Sequence, residues 1–459
     1  MHQSPRLRQL NQKHDYPACP SDHQTDIVIV GWGIAWMMTA YFILRNTSLR
    51  VTVIEESRLA HGATGHNAGQ VAAYFEQPFD EIVAQYGLEM ARAWQQALIQ
   101  GRELLEEVHA QHFSHVTYHP CTGYAGFSCL QDIIVHLRRK HLREGGNVVF
   151  DSILVDEHYR FDERIPHEYL TYCTFLPQSK ILDLLQTTDT QYIAAGVSAK
   201  WTINSALLVH EIALFLTTQF HDRCSIFEHT KLQEATIFPD SAQLLLHSGH
   251  PVSAFLLHAE KIILCTNGYR HISLVDAESK NLTTSFRNHT SSLVAHMIGY
   301  SLANEPKPAA ISYFPTQQSI NTANSTAIYY YMTLRPFSGH FPGLVCIGGP
   351  EHEMKEDIYS HNDHATSLAM ISTLTSFFHK TRLHGSAYIE PTFVWHGLMG
   401  YTHNNLRRIG AIPGYRTLLC NLWCNGVGIC SSVYGARKIW KLLAGATFDE
   451  SIFDPPSLS

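Results

Sequence analysis

Two glycines one residue apart, Gly31 and Gly33, follow the run Asp26-Ile-Val-Ile-Val30 and precede a helix-forming stretch. Backbone without side chains can turn tightly there and approach a phosphate, whose charge then rests on the N-terminus of the next helix. Gly31 permits the turn. Gly33 admits a pyrophosphate, with Ile34 and Ala35 opening the helix. Glu55 lies 55 − 31 = 24 residues after Gly31, with Glu56 beside it. That is close to the roughly 20 residues at which a carboxylate binds a ribose hydroxyl. The order predicts a dinucleotide site. One departure stands out. The motif's third position, normally Gly or Ala, is Trp36, and its middle is Trp32. Overpacking of this kind typically costs about 1–3 kcal/mol, and Trp32 is placed to intrude on the pyrophosphate.

The elements that position these residues follow from their patterns. Four consecutive β-branched residues at 27–30 suit a strand buried on both faces of a parallel sheet. Residues 37–44 read as a helix and 51–55 as a second strand, a βαβ unit of the expected length. Further helices are expected at 81–109, 130–143, 205–220 (with Asn204 as N-cap), 364–379 and 427–444. Strands are expected at 225–229, 244–247, 261–265, across much of 291–349, and at 417–420. The fold class is α/β plus α+β. A Rossmann-like nucleotide domain is assembled from residues 26–75, 190–275 and 395–455. Residues 76–189 and 276–394 form an interleaved helical and β-rich substrate domain, and 1–25 are read as a loose leader.

Composition narrows the function. The 459 residues are 45% apolar and 16% charged, as in globular chains. Lys plus Arg is 33 against 40 Asp plus Glu, a net charge of −7, and no basic run marks a nucleic-acid partner. Thirty histidines would erase this balance near pH 6 if only some were protonated. No apolar run approaches the roughly 20 residues of a membrane span, and residues 1–25 lack a signal-peptide core. A cytoplasmic protein with reduced, mostly buried thiols is expected. Cys420, Cys424 and Cys430 complete no zinc pattern. His361-Asn-Asp-His364 reads as a solvated helix cap, and His109, His112 and His115 read as loop residues. No Ser/His/Asp or paired-carboxylate constellation emerges.

Residues 26–55 with Arg58-Leu-Ala-His-Gly-Ala-Thr-Gly-His-Asn-Ala-Gly69 resemble the D-amino-acid-oxidase-like (DAO) family of flavoenzymes, which includes glycine oxidase, sarcosine oxidase and dimethylglycine dehydrogenase. Three later segments agree in order. Thr266-Asn267-Gly268 is similar to the family's middle turn, Trp395-His-Gly-Leu-Met-Gly-Tyr-Thr402 through Gly410 to its late flavin loop, and Asn421-Leu-Trp-Cys-Asn-Gly-Val-Gly428 to its terminal turn. The resemblance covers about 26–455.

It implies an FAD-dependent oxidoreductase that oxidises the C–N bond of an amine or amino acid by hydride transfer to flavin N5. The reduced flavin would pass electrons to oxygen or a quinone. An NAD-dependent dehydrogenase fits less well, because the loop at 62–69 and the late glycine turn suit a flavin enclosed at both ends. Gly62, Ala63, Thr64, Gly65, His66, Asn67, Ala68, Gly69 and Gln70 would lie against the flavin. Asn425, Gly426, Val427 and Gly428 would lead into a helix whose N-terminal dipole stabilises charge at N1/O2. Leu232 would contact the adenine side through its backbone. In dimethylglycine-dehydrogenase-like members a histidine in a His-x-Ala-Gly setting is bonded to the flavin; His66 is read as a polar neighbour of a noncovalent one. Arg335 is the candidate clamp for a substrate carboxylate, with Tyr331 and Tyr401 as an aromatic wall. Trp423 stands where relatives tend to have Gly. With Trp32 and Trp36 it leaves an alternative open: a noncatalytic protein of the same fold with impaired FAD binding, used for binding or assembly.

Overall fold

The computed structural model describes residues 4–10, 15–31, 33–144, 152–249, 252–268, 272–287, 290–315, 329–337, 341–354, 366–386, 390–448 and 451–457. Ile27–Val30 is the centre of a six-stranded sheet. It pairs in parallel with Val51–Ile54 on one side and Lys261–Leu264 on the other. Cys224–Phe227 extends one flank, and Tyr415–Leu422 with the antiparallel Arg408–Ile412 extends the other. The unbroken apolar run at 27–30 now has its cause. Ile27 and Ile29 enter one core and Val28 and Val30 another, so neither face meets water.

The first core lies under the helices Ile34–Asn46, Leu88–His112, Ser205–Gln219 and Gly428–Leu443. The second lies against a four-stranded sheet, Ser253–Ala259, Ala242–Ser248, Thr230–Ile237 and Ser273–Asp276. Asn204 caps its helix as expected, its Oδ1 accepting from the Leu207 N–H at 3.2 Å. The helix expected at 81–109 is two, Phe79–Tyr86 and Leu88–His112, separated at Gly87 with φ +85°. His109 and His112 belong to the last turns of the second, not to a loop. His361 and His364 lie outside the described residues.

A second, ten-stranded sheet is mostly antiparallel. Phe393–Thr402, Thr290–Leu302, Gly343–Glu353, Tyr330–Pro336 and Ala309–Phe314 lead through Tyr118–Phe127 to Ala194–Ile203 and two shorter strands. Gln70–Val71 pairs with Ala194–Ile203, joining the loop at 62–69 directly to this sheet. Ala194–Ile203 and Phe393–Thr402, which the sequence reading places largely in the nucleotide domain, are strands of this sheet. The first crosses over at Asn204, where its helix begins.

The described residues of the leader, 4–10 and 15–25, are not loose. Pro5–Arg8 is a short helix with Arg6 and Leu7 buried. The Tyr16 N–H donates to Glu228 Oε2 at 3.2 Å and the Cys19 N–H to Thr230 Oγ1 at 3.1 Å. Leu7, part of the largest core, explains why a polar segment folds down. All ten cysteines are free thiols, most of them buried. Among the described residues no helix is long and apolar enough to cross a membrane, and no group of three His, Cys, Asp or Glu is arranged to hold a metal ion.

Candidate active site

The turn after Ile27–Val30 is built on Gly31, whose φ of +124° only glycine adopts readily. A Cβ there would lie 2.6 Å from the Cys265 carbonyl oxygen. Gly33 stands at the helix N-cap, and the next amide, of Ile34, donates to Thr64 Oγ1 at 3.0 Å. The loop at 62–70 is thereby fastened to the mouth of the first helix. Glu55 is buried at the end of the second strand. Its Oε1 accepts from the Ser57 N–H at 2.6 Å, while Oε2 is buried without a hydrogen-bond partner. Burial drives its carboxyl well above the usual range, against the Ser57 bond. A ribose hydroxyl would supply the missing donor. Glu55→Ala should therefore weaken FAD retention by about 1.5–3 kcal/mol, a loss of roughly ten- to a hundredfold in affinity. Equilibrium titration of the apoprotein measures it, and unchanged affinity removes Glu55 from the site. Glu56, by contrast, is paired with Lys231 at 2.7 Å near the surface. Leu232 is a buried residue of the second core.

A cavity of about 1560 Å³ opens between the two sheets. Gly33, Ile34, Ala35, Gly62, Ala63 and Thr64 line it, followed by His66, Asn67, Ala68 and Gln70. Gly31, Gly65 and Gly69 stand behind this wall. Asn67 braces the loop: its Nδ2 donates to Ser205 Oγ at 2.9 Å, and its Oδ1 accepts from the Gly69 N–H at 2.7 Å. His66 Nδ1 donates to the Gly62 carbonyl at 2.9 Å, and burial lowers its imidazole to about 3, so it is neutral. The His66 carbonyl accepts from Trp395 Nε1 at 2.9 Å. Gln70 Nε2 donates to Thr333 Oγ1 at 3.0 Å.

The middle and late turns interlock. Asn267 Oδ1 accepts from the Cys424 N–H at 2.9 Å, and Asn425 Oδ1 from the Thr402 N–H at 2.8 Å. Thr266, Asn267, Gly426, Val427 and Gly428 face the cavity, whereas Gly268 and Asn425 hold the turns together from behind. The helix Gly428–Leu443 starts at this wall.

The tryptophans lie elsewhere. Trp36 is only 1% exposed within the largest core, and it is not in the cavity wall. The helix turns it away from the phosphate side instead of pushing it in. Trp423, at φ +62°, packs on Phe286 with ring centroids 5.9 Å apart, in a cleft beside Leu264 and Leu274. Trp32 lies outside the described residues. The expected obstruction thus has no geometric basis at Trp36 or Trp423.

At the large sheet, Tyr331 and Tyr401 line the cavity, but Arg335 does not. Tyr331, Thr333 and Arg335 share one strand face, and the N-terminal segment covers its far end. There Arg335 is buried, its Nη2 donating to Gln9 Oε1 at 3.1 Å, with Arg6 nearby. The sequence reading missed a different cluster. Glu351 accepts from Tyr329 Oη and from Tyr401 Oη, both at 2.9 Å. Glu76 faces Glu351 across the cavity, with Tyr74 and Lys200 alongside. The Glu76 side chain is exposed to the open space of the cavity, while protein surrounds that space on its other sides. Burial first, then repulsion from Glu351, push its carboxyl up to about 7, with Lys200 opposing. Burial likewise raises Glu351 against its two tyrosine bonds. It lowers Lys200 to about 8. The only signal in the sequence was Tyr74-Phe-Glu76, close after the loop at 62–70.

The glycine turn and the loop-lined cavity fit an FAD held across the site, and Glu55, with its unpartnered Oε2, lies beyond the residues that line the cavity. Comparisons with known proteins agree. The chain resembles gamma-glutamylputrescine oxidoreductase of Escherichia coli (strain K12), with 32% identity over 82 residues, 18% of this chain and 19% of that protein. The match spans less than a fifth of the length of the curated relatives. Among solved structures, glycine oxidase from Geobacillus kaustophilus superposes with a TM-score of 0.62 at 14% identity, covering 95% of this chain and 99% of that one. L-proline dehydrogenase from P. horikoshii gives 0.63 at 12% identity, covering 93% and 95%. These likenesses concern the fold. Residues 26–442 match the DAO family of FAD dependent oxidoreductases, and the chain belongs to that family.

Proposed function

We propose that this protein oxidises the C–N bond of an amine or amino acid. One observation carries the reading: a single cavity joins the nucleotide turn, the loop at 62–70 and the late turn at 426–428 to a wall of tyrosines and carboxylates on the large sheet. Bound FAD would supply the hydride acceptor, and oxygen or a quinone would take the electrons. The chain's own residues bind and orient. Gly33 to Ala35 would seat the pyrophosphate and Glu55 a ribose hydroxyl. The loop at 62–70, fixed by Thr64 and Asn67, would position the ring system. Tyr331 and Tyr401 would wall the substrate, and Tyr329 and Tyr401 hold the Glu351 carboxylate in one orientation. The names glycine oxidase, L-proline dehydrogenase and gamma-glutamylputrescine oxidoreductase accord with a C–N substrate.

Freshly purified protein should show the two flavin absorption bands, and a panel of amines and amino acids mixed anaerobically should bleach them. Hydrogen peroxide formation on readmitting air separates oxygen from a quinone as acceptor. Protein that carries no FAD, or whose flavin no panel member reduces, would return the argument to the noncatalytic alternative.

A further inference from the structure

We propose that the substrate is a cationic amine without an α-carboxylate, its aminium group received between Glu76 and Glu351 within a tyrosine cage, and that Glu76 takes the proton that must leave before oxidation. This rests on the C–N oxidation reading above and adds to it the charge type of the substrate and the proton acceptor.

The placement comes from the late turn. A Cβ on Gly426 would lie 2.9 Å from Tyr401 Oη and 3.3 Å from Glu76 Oε2. The carboxylate and the phenol therefore converge on the backbone beside which the ring would lie. Tyr401 also donates to Glu351, so Glu76, Tyr401 and Glu351 form one continuous patch. Tyr74, Tyr329 and Tyr331 complete the aromatic surface of this wall. Tyrosine faces attract cations within about 6 Å of the ring centroid.

The charges count the same way. Glu76 is faced by Glu351 from Gly343–Glu353, by Lys200 from Ala194–Ile203, and by the hydroxyls of Tyr74, Tyr329 and Tyr401. Two carboxylates against one lysine leave one negative charge unbalanced when both ionise. Burial first, and then this excess of negative charge, hold the Glu76 carboxyl up to about 7. A monocation restores neutrality. An α-amino acid would bring a third carboxylate into the same few ångströms. Lys200 is the cation whose charge acts on Glu76, and its Nζ donates to Gln70 Oε1 at 3.2 Å, while Arg139, Lys140 and Arg143 line other parts of the cavity. Arg335 lies outside the cavity, and Arg407 is committed to Asn421.

The proton step is balanced. The aminium N–H bond breaks and a Glu76 O–H bond forms, leaving a neutral amine lone pair and a neutral carboxylic acid. No oxidant enters this step. The free protein must hold Glu76 ionised to bind the cation, so kcat/KM rises as pH increases through about 7.

The test uses the FAD-loaded protein with n-butylamine and with 2-aminopentanoic acid, which differ only by the carboxylate. The amine should give at least a tenfold higher kcat/KM. Glu76→Gln should lower that value at least tenfold and remove the rise through pH 7. A non-oxidisable cation, tetramethylammonium chloride, provides a binding readout by calorimetry. Its affinity should fall at least fivefold in both Glu76→Gln and Glu351→Gln. Preference for the amino acid, with that preference lost in Lys200→Met, would overturn the proposal and leave C–N oxidation standing. Equal tetramethylammonium binding by parent and variants would also overturn it. If neither compound reduces the flavin while cation binding still depends on both glutamates, the cation site stands and the oxidation reading fails.

Discussion

Gly31→Ala is expected to lower stability by about 2–5 kcal/mol and to strip the protein of FAD. Two costs add. The φ of +124° disfavours any side chain, and the new methyl would stand 2.6 Å from the Cys265 carbonyl oxygen. That oxygen cannot retreat easily. Lys261–Leu264 is locked between Ile27–Val30 and Tyr415–Leu422 in the middle of the sheet. The turn must open instead, and the Ile34 amide and the helix mouth move with it. Thermal melting with flavin absorbance per protein after desalting measures both losses. An alanine variant that melts with the parent and keeps its flavin would show that the turn is not where the cofactor is held.

Trp36→Ala should be at least as damaging to stability and should do nothing for the cofactor. Removing a fully buried tryptophan typically costs about 3–5 kcal/mol, because the space left behind collapses only in part. Trp36 sits in the core shared by the helices Ile34–Asn46 and Gly428–Leu443. Its Nε1 has no hydrogen-bond partner, so the penalty is offset slightly by loss of an unsatisfied donor. Denaturant unfolding gives the stability change, and FAD titration gives the second result. An increase in bound FAD would revive the obstruction that the side chain's direction argues against. Trp423→Gly is expected to follow the same pattern: relief of the left-handed backbone, loss of the Phe286 contact, and no gain in flavin.

The central βαβ unit was legible because its signals are local. A doubly buried strand, a glycine turn and a carboxylate at fixed spacing lie within 30 residues, and each is dictated by backbone geometry. The helix at 205–219 was legible for the same reason, its cap standing one residue ahead. The direction of Trp36 was not, since a motif position fixes the helix phase only when the residue is small enough to meet the strand. Gly87 lies inside the stretch 81–109 read as one helix, and only its positive φ divides that helix in two. Arg335 was read from its aromatic neighbours, but its environment is set by Gln9 and Arg6, more than 300 residues away. Glu76 and Glu351 become a pair only when Gln70–Val71 and Gly343–Glu353 join the same sheet. Neither glutamate carries a local pattern.

The N-terminal segment also bears on the order in which the protein assembles. Gln9 takes a hydrogen bond from Arg335, 326 residues later, and Tyr16 and Cys19 are tied to residues beyond 220. A ribosome emits this end first, yet its binding surface is made only after most of the chain has emerged. Ile27–Val30 likewise waits for Lys261–Leu264. The contacts of Gln9, Tyr16 and Cys19 can therefore form only after those later partners have emerged, like a strap fastened over finished work. Contacts of such long span slow folding, so refolding should show the Pro5–Arg8 helix acquiring amide protection after the sheets it covers.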